Sequence, residues 1–156
     1  MFIKLSSDIT DFIKLLQKHE VEFLICGGHA VAFHGFPRMT MDVDILVKPE
    51  ENNSLKLQLA LNDFGFGNIE ELSPDKFQQR GTVVSLGVQP NQLDLLTSVS
   101  TQDESEIFSH KVSGQFADFT LDFLSYEDLI RAKKEAGRLK DLLDIEELEK
   151  IKAKEN

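Results

Sequence analysis

Apolar residues Ile9, Phe12, Ile13 and Leu16 recur at intervals of three and four, which predicts an amphipathic helix over residues 7–20 capped by Ser7 or Asp8. The pattern then changes. Val21 to Cys26 is a short β-rich run broken by Gly27-Gly28, and Ala30 to His34 begins a helix that ends near Gly35, ahead of Pro37. Met41 to Val47 predicts a second strand, and Pro49 opens a helix to about Asp63, with Leu55 and Leu59 on its apolar side and Gly65 as its stop. Ser73-Pro74 predicts a short capped helix. Thr82–Val88 and Gln92–Thr97 flank a Pro90-Asn91 turn and predict a hairpin, while Lys111–Ser113 and Phe119–Phe123 predict a weaker strand pair. Ser125 with Asp128 resembles a capping box for a helix to Ala136, which Gly137 ends. Leu142, Ile145, Leu148 and Ile151 stripe a last helix over 139–151. This order predicts an α/β (α+β) fold, a mixed and mostly antiparallel sheet flanked by helices. It is read as a single domain over 1–156, with its core at about 7–124 and a C-terminal helical part at about 125–151.

Bulk composition narrows the class. The chain has 156 residues, 41% hydrophobic and 28% charged, the balance of a globular domain with a core of useful size. Only the Lys- and Glu-rich tail is expected to fray. A net charge of −10 disfavours extended binding to nucleic acid or to an anionic membrane surface. No apolar run reaches the length of a membrane span, and the N-terminus lacks a basic region followed by an apolar stretch. A single cysteine, Cys26, excludes an internal disulfide framework and reads as a small buried hydrophobe in a cytoplasmic protein.

Candidate chemistry lies where the strands carry acids. Asp42 and Asp44 alternate with Val43, Ile45 and Val47, so the two carboxylates share one face of their strand. Side by side they repel, and a divalent cation beside a phosphate cradle is the natural compensation. Asp94 sits between Leu93 and Leu95 in its own strand. If that strand lies beside the Asp42 strand, three acids meet on one face, enough to hold two Mg²⁺ ions about 3.5–4 Å apart. Gly27 and Gly28 open a helix whose first backbone N–H groups are free to receive phosphates, and glycine permits close approach. A basic cluster follows at Arg131, Lys133, Lys134, Arg138 and Lys140, of which Lys133 and Lys140 are candidates to reach a triphosphate.

Taken together, Gly27-Gly28, Asp42-Val43-Asp44 and the distal Asp94 resemble the polymerase-β-like nucleotidyltransferase superfamily. The run Pro37-Arg38-x-Thr40-x-Asp42-x-Asp44, with Lys133 and Gly137 to Ile145, is similar to small bacterial members related to abortive-infection nucleotidyltransferase toxins. The resemblance spans about Val21 to Glu147. It implies transfer of a nucleoside monophosphate from an NTP to a hydroxyl acceptor (a protein, an RNA end or a small molecule) with release of pyrophosphate. It further implies that Asp42 and Asp44 bind both Mg²⁺ ions, and that Asp94 binds the catalytic one and helps deprotonate the acceptor. Gly27, Gly28 and Lys133 would contact the triphosphate. Many members carry Ser after the first glycine; Gly28 stands there instead, which removes one phosphate contact. A toxin paired with an antitoxin protein and a catalytically silent nucleotide-binding module are the other functions the resemblance allows.

Each motif has a plainer reading. Asp-x-Asp alone is usually a pair of solvated acids, and Gly-Gly alone usually marks a turn. His29 and His34 read first as packed or surface helix residues, with His29 also able to touch a nucleotide. Arg38 is either a loop charge or the partner of one of the nearby aspartates. The basic cluster reads as a solvated helix face, Asp141 and Asp144 as structural acids, and the Phe residues and Tyr126 as core. Order, spacing and strand context together favour the nucleotidyltransferase reading.

Overall fold

The computed structural model describes residues 5–155. Helix α1 (Ser7–Lys18) begins where predicted, but its cap is Ser6 rather than Ser7 or Asp8, the Ser6 hydroxyl accepting from the Ile9 N–H. Strand β1 (Phe23–Cys26) runs directly into α2 (Gly27–Phe33). The glycine pair is therefore the first turn of the helix itself rather than a loop before Ala30. Strand β2 (Asp42–Val47) and helix α3 (Glu51–Phe64) follow, with Gly65 closing α3 in the left-handed conformation at φ 101°. The buried side of α3 is Leu57, Ala60 and Leu61, not the predicted Leu55 and Leu59, which are half-exposed.

The predicted short helix after Ser73-Pro74 is a single 3₁₀ turn, Lys76–Gln78, and another 3₁₀ turn, Glu70–Leu72, precedes the pair. Strands β3 (Val83–Leu86) and β4 (Gln92–Leu96) form the predicted antiparallel hairpin. Helix α4 (Glu104–Ser109) has no counterpart among the predicted elements. Only Ile107 and Phe108 of its six residues are apolar and buried, too short a stretch to carry a helical period. Strands β5 (Val112–Phe116) and β6 (Phe119–Phe123) pair antiparallel. Ser125 caps α5 (Tyr126–Ala136) by accepting from the Asp128 N–H. The Asp128 carboxylate pairs with His110 instead of closing the other half of the box.

The last helix, α6 (Leu139–Lys154), runs through the tail expected to fray. Its buried side is Asp141, Asp144, Ile145 and Leu148, while Leu142 of the predicted stripe is half-exposed. Two aspartates thus occupy core-facing positions of a helix, which demands partners.

The six strands form one sheet in the order β3-β4-β2-β1-β6-β5, with three antiparallel and two parallel pairings. One face packs on α1 and α3 through Val43, Ile45, Val47, Leu93 and Leu95. The other face carries Leu24, Cys26 and Leu46 against Ala30, Val31, Leu129 and Leu148 of α2, α5 and α6. Strand alternation puts the acids of β2 on this second face, so the functional side of the sheet looks toward α2 and the C-terminal helices. No helix among the described residues is long and apolar enough to cross a membrane.

Candidate active site

The parallel pairing of β2 with β4 decides the geometry. Its register sets Asp44 directly opposite Asp94, with Asp42 opposite Gln92. Adjacent strands lie about 4.8 Å apart. Asp44 and Asp94 are therefore lateral neighbours, and Asp42 stands two residues along β2 on the same face. The structure brings together the three predicted acids, all half-buried.

The row is electrostatically uncomfortable. Burial, the Asp94 charge, a hydrogen bond with Asp94 and the Asp42 charge push the Asp44 pKa up to about 7. Lys140, exposed at the start of α6, opposes them. The outer two carboxylates are steadied by amides: Gln92 Nε2 donates to Asp94 Oδ1 at 2.9 Å, and Gln89 Nε2 to Asp42 Oδ1 at 3.2 Å. Gln92 was detectable in sequence, since it lies two residues before Asp94 and so on the same strand face. Gln89, on the far side of the turn, left no such signal.

Hard oxygen donors in a row fit Mg²⁺, which keeps several waters and needs no complete protein cage. Among the described residues no three His, Cys, Asp or Glu side chains already surround a single point. The donors form a line along the strands rather than a closed cage.

The glycines have a steric reason of their own. Gly27 has φ +64°, and a Cβ there would lie 1.9 Å from Asp44 Oδ2. A Cβ on Gly28 would lie 2.7 Å from Thr40 Oγ1 and 3.3 Å from Arg38 Nη1. The pair lets the acid row and the 38–40 segment pack against the start of α2. Thr40, named in the motif before Asp42 but given no role there, is a positioning residue whose hydroxyl donates to the Asp42 carbonyl at 3.2 Å.

The basic residues do not simply point at the row. Lys133, nearly buried, pairs with Asp141 at 3.2 Å and with Asp144 at 3.0 Å. Arg38 does not pair with Asp42 or Asp44; its fork grips Asp144, Nε to Oδ1 at 2.8 Å and Nη2 to Oδ2 at 2.9 Å. The reason is positional: α6 places Asp144 beside the 38–40 segment, where its two oxygens accept both arms of the fork. Arg138 holds Asp141 at 2.7 Å. Burial works to raise the Asp141 pKa, and hydrogen bonds from Arg138 and Lys133 overcome it and hold it below its ordinary value.

Two cavities touch the acid row, one at Asp44 and one at Asp42. One, of about 170 Å³, is lined by Gly27, Asp44, Ser98, Lys133, Arg138 and Asp141 among others. The second, of about 350 Å³, is lined by His29, Thr40, Met41, Asp42, Pro90 and Asn91 among others. His29 lines the second cavity and Lys133 the first. The His29 ring stacks edge-on against Phe116 at 4.9 Å between ring centres, and burial with the nearby Arg38 charge lowers its pKa to about 4. His34 is structural, its ring Nε2 lying 2.7 Å from the Leu124 carbonyl. Cys26 is buried, as expected.

No protein-family model and no curated protein matches the chain. Among solved structures it is similar to a "putative nucleotidyltransferase" from Thermotoga maritima, with a TM-score of 0.59 at 14% identity, covering 89% of this chain and 88% of that one. The mixed six-stranded sheet, its flanking helices and this likeness over nearly the whole length agree: the chain has a nucleotidyltransferase fold.

Proposed function

We propose that the chain is a Mg²⁺-dependent nucleotidyltransferase that moves a nucleoside monophosphate from an NTP to a hydroxyl acceptor. The observation that carries this reading is the parallel, in-register pairing of Asp44 with Asp94, with Asp44 against Gly27 and Asp42 two residues along on the same face. Asp42, Asp44 and Asp94 would hold the Mg²⁺, whose chemistry is to neutralise phosphate charge and make the acceptor hydroxyl more acidic. Lys133, Arg138 and Lys140, with the backbone of Gly27 and Gly28, would receive the triphosphate. In the balanced step the acceptor oxygen bonds to the α-phosphorus. The bond from that phosphorus to the bridging oxygen breaks, its electron pair leaving with pyrophosphate. The hydroxyl proton passes to Asp94.

Incubation of the folded protein with α-labelled NTP, Mg²⁺ and fractionated lysate tests this. The expected result is a labelled product with stoichiometric pyrophosphate, both absent for Asp44→Asn. No turnover of any NTP by folded protein would overturn it.

A silent nucleotide-binding module is the second reading. It is favoured by the ion pairing of Lys133 with Asp141 and Asp144, which leaves its charge already matched. Calorimetry separates the two: a binder takes up ATP and Mg²⁺ yet releases no pyrophosphate.

A further inference from the structure

The ion cluster behind the phosphate side of the site holds an odd number of charges. Asp144 lies in the fork of Arg38, Nε to Oδ1 at 2.8 Å and Nη2 to Oδ2 at 2.9 Å. Asp141 lies in the fork of Arg138, Nε to Oδ2 at 2.7 Å and Nη2 to Oδ1 at 3.3 Å. Each carboxylate thus has a guanidinium of its own, and each such pair is neutral. Lys133 stands between the pairs, 3.2 Å from Asp141 and 3.0 Å from Asp144. Taken contact by contact its charge is matched. Over the whole cluster three cations face two anions, and one positive charge is left over. An ammonium also has three N–H groups. The two aspartates engage at most two of them, and no other acceptor pairs with Lys133 among the described residues.

Lys133 lines the cavity that holds Gly27 and Asp44, whereas neither Arg38 nor Asp144 is among its described lining residues. The remaining bond of the Arg38 guanidinium goes to its neighbour's backbone, Nη1 to the Met39 carbonyl at 3.3 Å. We propose that Arg38 is a positioning residue of the phosphate subsite: it neutralises Asp144, so that the surplus charge of the cluster is presented on Lys133, and it does so without touching the nucleotide. The proposal rests on the nucleotidyltransferase reading for the identity of the anion, a triphosphate, while the charge count follows from the contacts alone. Without Arg38 the cluster would hold two cations and two anions, and a phosphate would compete with Asp144 for the ammonium. The side chains of Lys133 and Asp144 are only 8% and 3% exposed, so water and salt screen this competition little.

The test is calorimetry of the intact protein with inorganic triphosphate and with ATP, each with Mg²⁺, alongside urea unfolding of every variant. Arg38→Gln removes the surplus charge and is expected to weaken both ligands about tenfold. Asp144→Asn adds to the surplus and is expected to tighten both several-fold. The double variant, Arg38→Gln with Asp144→Asn, restores a surplus of one and is expected to bind within about twofold of the native protein, although it lacks the guanidinium. Should Arg38→Gln fail to fold, the double variant decides alone, since it replaces an ion pair with two amides. Arg38→Gln binding as tightly as the native protein overturns the proposal, and so does a folded double variant about tenfold weaker than native, which makes Arg38 a direct phosphate contact or a merely structural residue. A native protein that binds neither ligand also overturns it. The expected order of affinities in a protein that releases no pyrophosphate overturns the transferase reading and leaves the role of Arg38 standing; turnover with the order broken does the reverse.

Discussion

Two clusters of acidic residues stand within one site, and they have opposite characters. Asp141 and Asp144 on α6 are buried but matched: Lys133 lies between them, with Arg138 on one and the Arg38 fork on the other. Asp42, Asp44 and Asp94 on the sheet are only half-buried but unmatched, with glutamine amides on two of them and Asp94 against Asp44. Charge balance, rather than burial or acid count, separates the structural cluster from the one proposed above to hold Mg²⁺. The matched cluster ties α5 and α6 to the segment leading into β2. The unmatched one stores repulsion that a ligand can relieve.

Substitution at Asp44 breaks the comparison most sharply. Asp44→Asn is expected to lower nucleotidyl transfer by about a thousandfold, on the order of 4 kcal/mol of barrier, measured as pyrophosphate release. Its effect on stability has the opposite sign. Folded Asp44 keeps its proton up to about pH 7, against an ordinary value of 3.8. The native state therefore binds more protons than the unfolded chain between those values, and native stability falls as pH rises from about 4 to about 7, then levels. The amide of the variant cannot titrate, so the variant should lack this decline and melt higher than the native protein at pH 8. Adding Mg²⁺ at pH 8 should raise the melting temperature of the native protein and not of the variant.

Lys133→Met attacks the matched cluster and should destabilise the fold by about 3–5 kcal/mol, since it leaves two buried carboxylates short of a partner. Urea unfolding measures it. A loss under about 1 kcal/mol would mean that Arg38 and Arg138 suffice and that Lys133 is free for phosphate.

Gly27→Ala joins the clusters to the steric argument. The added methyl would overlap Asp44 Oδ2 at a backbone angle unfavourable to alanine, costing about 1–3 kcal/mol of stability. Activity should fall further than stability explains, because Asp44 must move.

The smallest effect is expected at Lys140, exposed and yet a cation that favours ionised Asp44. Lys140→Gln should leave urea stability within about 0.5 kcal/mol and weaken ATP binding several-fold by calorimetry.

Much of the site was legible before any coordinates. Periodicity gave both hairpins and five of the six helices, and strand alternation put Asp42 and Asp44 on one face. Where that reading failed, packing had overridden local pattern. Leu55, Leu59 and Leu142 obey an apolar spacing yet face solvent, while Asp141 and Asp144 face inward because α5 and the 38–40 segment supply cations there. Helix α4 is too short for a period, and Arg38 found its partner 106 residues away.

By itself, the amino-acid sequence determined the elements, the alternation within each strand and the residue types capable of metal and phosphate chemistry, because these follow from backbone geometry over a few neighbouring residues. Only the tertiary structure decided that β4 lies parallel to β2 in the register that levels Asp94 with Asp44. It alone set Lys133 between two acids and packed His29 against Phe116. Such choices depend on which surfaces bury one another across long stretches of chain, and a one-residue slip in register would have turned Asp94 to the opposite face.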